Sequence, residues 1–307
     1  MAVDLVTARN RFLLPPSEKL VFESRPDISP SFRIPKEAKV FSIGSCTSRQ
    51  LEIWLKRFGV CIPSLVIDSP PRECLVPQGT IGYWNKRTPA CIWQEVDIAS
   101  KVYNRDGVVA ESDYKNLCYP LSDDSVTDMQ IMCSSPVSRG RFLERRRQLY
   151  SITKSVFSSA LVIVSVGLAE VWFDAGTGTY LCGPTPATVE ACSVMAEVML
   201  ASQCKARLKQ VVQLVRASNS QAKFIFMVSP TPVLRTITDW GGVVATGHSK
   251  AVLRAACGEL AEEFDGVDYF PLYETVVGQQ GISEVTGHVQ GSIMERVTGR
   301  LVEAYFE

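Results

Sequence analysis

Ser45 and Cys46 stand side by side in the stretch Lys39–Gly59, KVFSIGSCTSRQLEIWLKRFG, and either side chain can attack an electrophilic carbon. Both need a proton acceptor. Histidine, the usual one, occurs only at positions 248 and 288 of the 307 residues. His248 precedes a Ser-Lys helical segment and reads as a cap or surface residue. His288 lies in a loop just before the last helical segment, from which it can reach back over an earlier strand end. Cysteine is the better intrinsic nucleophile, and a helix N-terminus or a nearby imidazole lowers its pKa. The chemistry these types and positions allow is acyl transfer through a covalent intermediate.

The elements around them must form a strand, a sharp turn and a helix. Val40–Ile43 is a short apolar run ending at Gly44, and Leu51, Trp54, Leu55 and Phe58 then recur at helical spacing. Such a turn exposes its side chains at the carboxyl end of a sheet and aims the helix's first N–H groups at the ligand. Two more short buried runs follow. Leu161–Val166 (LVIVSV) ends at Gly167, and Phe224–Val228 (FIFMV) ends at Ser229-Pro230-Thr231-Pro232. Helical patterns are expected at 88–104, 139–158, 189–217, 249–264 and 292–306, with a short strand at 267–270 and irregular chain at 105–138. Buried strands alternating with helices predict an α/β three-layer sandwich with a mostly parallel central sheet. Residues 1–38, punctuated by prolines, read as an extended N-terminal arm, and 39–307 as a single α/β domain. A Pro- and Gly-rich loop at 68–86, carrying Tyr83 and Trp84, is expected either to line a pocket or to cover the core.

Composition narrows the partners. The chain is 46% hydrophobic and 21% charged, with 32 basic and 32 acidic residues. That balance argues against nucleic acid, which needs a basic face. No apolar stretch approaches the roughly 20 residues that span a bilayer. The N-terminus lacks an apolar signal region, so the ten scattered cysteines are expected to be reduced thiols in a cytoplasmic protein. They form no CxxC pair and no metal-ligand spacing, so no metal is expected. Arg141, Arg145, Arg146 and Arg147 read as a solvated helix face or, alternatively, as an anion-binding patch for a phosphate-bearing substrate or carrier.

Six blocks in order resemble the GSCFA family, a branch related to the SGNH hydrolases. They are IGSC (43–46), SVGLAEVW (165–172), FIFMVSPTP (224–232), SKAVLRAA (249–256), YFPLYE (269–274) and GHVQ (287–290). The resemblance implies an SGNH or flavodoxin-like fold. It also implies a site built from Gly44, Ser45 and Cys46 of the first block, Gly167, Glu170 and Trp172 of the second, and Ser229 of the third. Lys250, Arg254, Glu274 and His288 complete it. Laying Gly44-Ser45-Cys46 on the SGNH Gly-Asp-Ser puts Cys46 at the nucleophile position. The SGNH aspartate falls at Val285, leaving Glu284, one place earlier, or a backbone carbonyl to orient His288. Oxyanion donors are expected to be the backbone N–H groups of Cys46 and Gly167. The SGNH asparagine after that glycine is missing, since positions 168–170 are Leu-Ala-Glu.

The function implied is acyl transfer or hydrolysis of an ester or thioester, with His288 as base and then acid. No cofactor is required, and acyl-CoA or an acyl carrier can serve as co-substrate. The substrate is a small molecule or a glycan. A glycan O-acyl esterase is the near alternative. A degenerate, non-catalytic domain that binds carbohydrate or protein is the other, favoured by the absent aspartate and asparagine.

Overall fold

Four parallel strands make the central sheet. They are β1 (Val40–Gly44), β4 (Leu161–Val166), β8 (Lys223–Val228) and β9 (Val267–Tyr269), adjacent in that order. The computed structural model describes residues 26–63, 85–131, 135–185, 188–189, 192–284 and 286–307. Residues 68–84 of the aromatic loop expected at 68–86, the apolar run from residue 64 on, and residues 1–25 lie outside them. A parallel bridge between Lys39 and Cys61 extends the sheet beyond β1. Counting that segment second in chain order, the sheet runs 2-1-3-4-5, the flavodoxin-like arrangement.

Side-chain alternation explains the three layers. Phe41, Ile43, Val162, Val164, Val166, Phe224, Phe226 and Val228 point to one face, where they pack in one cluster with α2 (Pro89–Arg105), α4 (Ala201–Ser218) and α5 (Gly241–Glu263). Val40, Leu161, Ile163, Ile225 and Met227 point to the other, against α1 (Cys46–Arg57), α6 (Leu272–Gly278) and α7 (Gly291–Tyr305). Both faces are dry, so the strands read as continuous apolar runs. The α/β sandwich expected from sequence is the observed fold. Residues 26–34 pack along the domain before a turn at 35–38, with Ile34 N–H donating to Tyr305 O at 2.9 Å and Ser31 bonded to Asp268.

Two local expectations fail. The helix expected over 189–217 begins only at Ala201, because Val194–Val198 is strand β7. It pairs antiparallel with β5 (Glu170–Asp174), which β6 (Tyr180–Leu181) flanks on the other side. Met195, Ala196 and Glu197 favour helix locally, and cross-strand pairing overrides that preference. The stretch 105–138 contains a hairpin, β2 (Cys118–Ser122) and β3 (Ser125–Asp128).

The arginine run also departs from expectation. On α3 (Arg139–Thr153), Arg145 and Arg146 are fully buried, so they form neither a solvated face nor an accessible anion patch. Arg146 donates to Asp128 through Nε at 2.7 Å and to Glu95 through Nη1 at 3.1 Å. Lys86 reaches Glu95 at 3.0 Å and the Gln130 backbone carbonyl at 2.6 Å. Burial alone would lower the Arg146 and Lys86 pKa values, but the negative field of their neighbours prevails and both are raised.

Candidate active site

The site lies at the carboxyl ends of β1 and β4, where α1 leaves on one face of the sheet and the helices after β4 on the other. This switch point opens a crevice between strand ends. Gly44 makes the turn possible. Its φ is +150°, and a Cβ there would stand 2.1 Å from Ser165 O and 2.7 Å from Ser48 Oγ. Any other residue would push β1 off β4.

Ser45 is the N-cap of α1. Its hydroxyl accepts from Thr47 N–H at 3.3 Å, lies 3.3 Å from Ser165 Oγ, and is buried. Cys46, the first helical residue, is only partly buried, and its N–H has no acceptor within the helix. Its Sγ sits 3.7 Å from Thr231 Oγ1. Thr231 belongs to a hydroxyl chain in which Thr47 Oγ1 is 2.7 Å from Ser229 Oγ and 3.5 Å from Thr231 Oγ1. Ser229 is thus a support for this chain.

His288 is brought over the same helix end by a tight loop. Ser283 N–H donates to His288 O and Gln290 N–H to Gly281 O, both at 2.8 Å. Gln50 of α1 donates to Val289 O at 3.1 Å, tying the loop to the helix one turn beyond Cys46. The imidazole comes close enough to the Cys46 thiol for each to shift the other's pKa. Burial pushes the thiol pKa up, but hydrogen bonds from His288 and Thr231 and the positive charges of His288 and Arg87 outweigh it, so the net shift is down. For His288 the Cys46 hydrogen bond raises the pKa by more than burial and Arg87 lower it. These opposite shifts favour the thiolate and the imidazolium. The α1 dipole adds to the same preference.

Gly167 N–H is not available to an oxyanion. It donates to Arg87 O at 2.8 Å, and Leu168 N–H joins it at 3.1 Å. Of the two expected backbone donors, Cys46 N–H remains. Lys250 Nζ donates to Gly167 O at 2.7 Å and is 2% exposed. Burial lowers its pKa to about 7, against the pull of Cys46.

Other expected site residues are elsewhere. Glu284 is exposed and makes no hydrogen bond to His288, so it does not replace the missing aspartate. Glu170, expected to bind substrate or pair with Arg254 or Lys250, is buried and accepts from Thr236 Oγ1 at 2.7 Å and Ile237 N–H at 2.9 Å. It clamps the loop after β8. Trp172 lies in β5, paired with Leu181 and Ala196. Arg254 donates to Glu274 at 3.0 Å, and Glu274 accepts from Tyr269 Oη at 2.9 Å, so Glu274 on α6 ties together α5 and β9. His248 is exposed, with its ring 5.0 Å from Trp240.

Arg87 was not singled out from sequence. It follows the undescribed loop, and nothing in its neighbours' types marks it. From the SPTP turn the sequence singled out Ser229, whereas the hydroxyl beside the thiol is that of Thr231. Among the described residues no cluster of His, Cys, Asp or Glu can hold a metal, and no helix is long and apolar enough to cross a membrane.

Fold and site together define an α/β protein with a thiol–imidazole pair at the sheet's switch point. The sequence model of the GSCFA family matches residues 39–283, and the chain belongs to that family. No curated protein matches it. Among solved structures it is similar to a Clostridium thermocellum family 3 carbohydrate esterase at 10% identity. That match covers 87% of this chain and 94% of the other, with a TM-score of 0.35. It is also similar to an acetyl xylan esterase from the rumen bacterium Butyrivibrio proteoclasticus at 9% identity. There the match covers 91% of this chain and 64% of the other, with a TM-score of 0.38.

Proposed function

We propose that the protein transfers acyl groups from an ester or thioester to water or to a hydroxyl acceptor, through an acyl-Cys46 intermediate. The carrying observation is the placement of His288 beside Cys46 at the N-terminus of α1, by a loop that Gln50 ties to that helix, with the thiol shifted down and the imidazole up. The thiolate adds to the acyl carbonyl, and the developing oxyanion takes the Cys46 N–H. Imidazolium His288 then gives its proton to the leaving alkoxide or thiolate as the carbon–oxygen or carbon–sulfur bond breaks. Neutral His288 next draws a proton from water or the acceptor hydroxyl, which attacks the thioester. Collapse returns the acyl product and the thiolate.

Ser45 is the weaker candidate nucleophile, because its hydroxyl is buried and already accepts the α1 capping bond. The missing aspartate fits a cysteine mechanism, since a resting ion pair needs less help to orient its imidazole. The arginine helix no longer argues for a CoA or carrier donor, so use of such a thioester rests on the thiol chemistry alone. Cytoplasmic residence remains a proposal from the sequence.

The test is to mix the protein with para-nitrophenyl butyrate, quench in acid and map the acylated peptide by mass spectrometry. Acyl on the Cys46 peptide supports the reading. Turnover that survives Cys46→Ala would contradict it. Loss of the base in His288→Ala should lower kcat by roughly 10²–10⁴-fold.

A further inference from the structure

The charged groups gathered at Cys46 are all cationic. Lys250 reaches Gly167 O with an amino group that is almost fully buried, and His288 acts on the thiol. Arg87 completes the set. Its backbone is pinned between two strand ends. Lys86 N–H donates to Gly44 O at 2.7 Å, and Arg87 O takes the N–H groups of Gly167 and Leu168. Thr88 then caps α2, accepting from Cys91 N–H at 3.1 Å. Arg87 therefore stands beside Gly167, and its charge acts on both Cys46 and His288.

Its side chain is half-buried and makes no hydrogen bond or ion pair with any described residue. Among the described residues no carboxylate contacts Cys46, His288, Lys250 or Arg87. The nearest acid in α1, Glu52, is tied to Arg49 at 2.7 Å. A partly desolvated guanidinium with an open planar fork fits an oxyanion, and a crevice lined with one sign of charge concentrates the opposite sign.

From this we infer that Arg87 is a substrate-binding residue and that the acyl substrate carries an anionic group, a carboxylate or a phosphate, close to the reacting carbonyl. The chemistry rests on the acyl-enzyme reading, whereas the anion site itself does not.

Two readouts keep these apart. In the first, the full-length protein is alkylated with iodoacetate and with iodoacetamide, and modification of the Cys46 peptide is followed. Wild type should favour the anionic reagent relative to free cysteine. Arg87→Gln should reduce the iodoacetate-to-iodoacetamide ratio about 10-fold, the size of a charge-assisted hydrogen bond. Arg87→Lys, which keeps the charge and loses the fork, should fall between and serves if the glutamine variant does not fold. Protection of wild-type Cys46 from iodoacetamide by succinate or by inorganic phosphate tells which oxyanion the site takes. Protection by neither would overturn the proposal, as would an unchanged ratio in Arg87→Gln.

The second readout is turnover of matched esters, para-nitrophenyl hemisuccinate against the butyrate and para-acetoxybenzoate against its methyl ester. These place the anion on the acyl side or on the leaving-group side. Arg87 should give about a 10- to 100-fold preference in kcat/KM for one anionic ester. If no ester is consumed yet the alkylation ratio depends on Arg87, the anion site stands and the acyl-enzyme reading falls. If esters react through Cys46 with no Arg87-dependent preference, the anion site falls alone.

Discussion

Lys86 and Arg87 are neighbours in the chain and have opposite circumstances. Lys86 is fully buried, with Glu95 at 3.0 Å and the Gln130 carbonyl at 2.6 Å, in a cluster that also pairs Arg146 with Asp128. Arg87, one residue on, is half-buried beside Gly167 and meets no described acid. Paired cations hold β3, α2 and α3 together at a large desolvation cost that the partners offset. The unpaired cations at the site, Arg87 and Lys250, are arranged around a thiol and the space above it. Residue type alone does not separate scaffold from site here. The presence or absence of a counter-charge does.

The largest expected effect comes from disturbing the paired cluster. Asp128→Asn leaves Arg146 without its closest counter-ion and should cost about 3–5 kcal/mol of unfolding free energy in urea. Alkylation of Cys46 in the folded protein should be little changed. A slowed Cys46 with unchanged stability would erase the distinction between the two regions. Lys250→Met tests the unpaired side and should do less to stability. It strips a bond from Gly167 O, which costs about 1–3 kcal/mol, while removing a buried cation without a counter-ion offsets part of that. The net loss in urea should stay below about 2 kcal/mol. The Cys46 thiolate loses a favourable charge, so its pKa should rise and its alkylation midpoint should move to higher pH. A loss as large as that of Asp128→Asn would show that Lys250 holds the fold as Arg146 does.

Much of the frame was legible because its signals are local. The run Leu161–Val166 is β4 residue for residue, and the glycine-terminated run at Val40 is β1 followed by a helix at Cys46. The Cys46–His288 meeting was legible too, since both lie at strand-end or helix-start loops on one side of the sheet. What sequence could not supply was long-range pairing. Arg146 with Asp128, Lys86 with Glu95 and Arg254 with Glu274 join residues on separate elements, and no periodicity encodes the partner. A helix with four arginines was therefore read as a solvated face or an anion patch, whereas Arg147 is exposed, Arg141 half-buried and the other two buried. Glu170 and Glu274 were placed at the site on block position, yet their carboxylates are consumed by the Thr236–Ile237 loop and by Arg254. Gly167 N–H likewise looked free until Arg87 O was seen to occupy it.

The central claim is that Cys46 is a thiolate held by His288. The direct measurement is the rate of iodoacetamide alkylation at Cys46 against pH, in wild type and His288→Ala. A lowered thiol pKa means that the thiolate persists to lower pH, so wild-type reactivity should outlast that of an ordinary cysteine as the pH falls. It should decline on acidification below the roughly 8.5 midpoint of an ordinary cysteine. Without the imidazole, burial opposes ionisation with less compensation, and the midpoint should move upward. Coincident profiles in the two proteins, both with the midpoint of an ordinary thiol, would contradict the account.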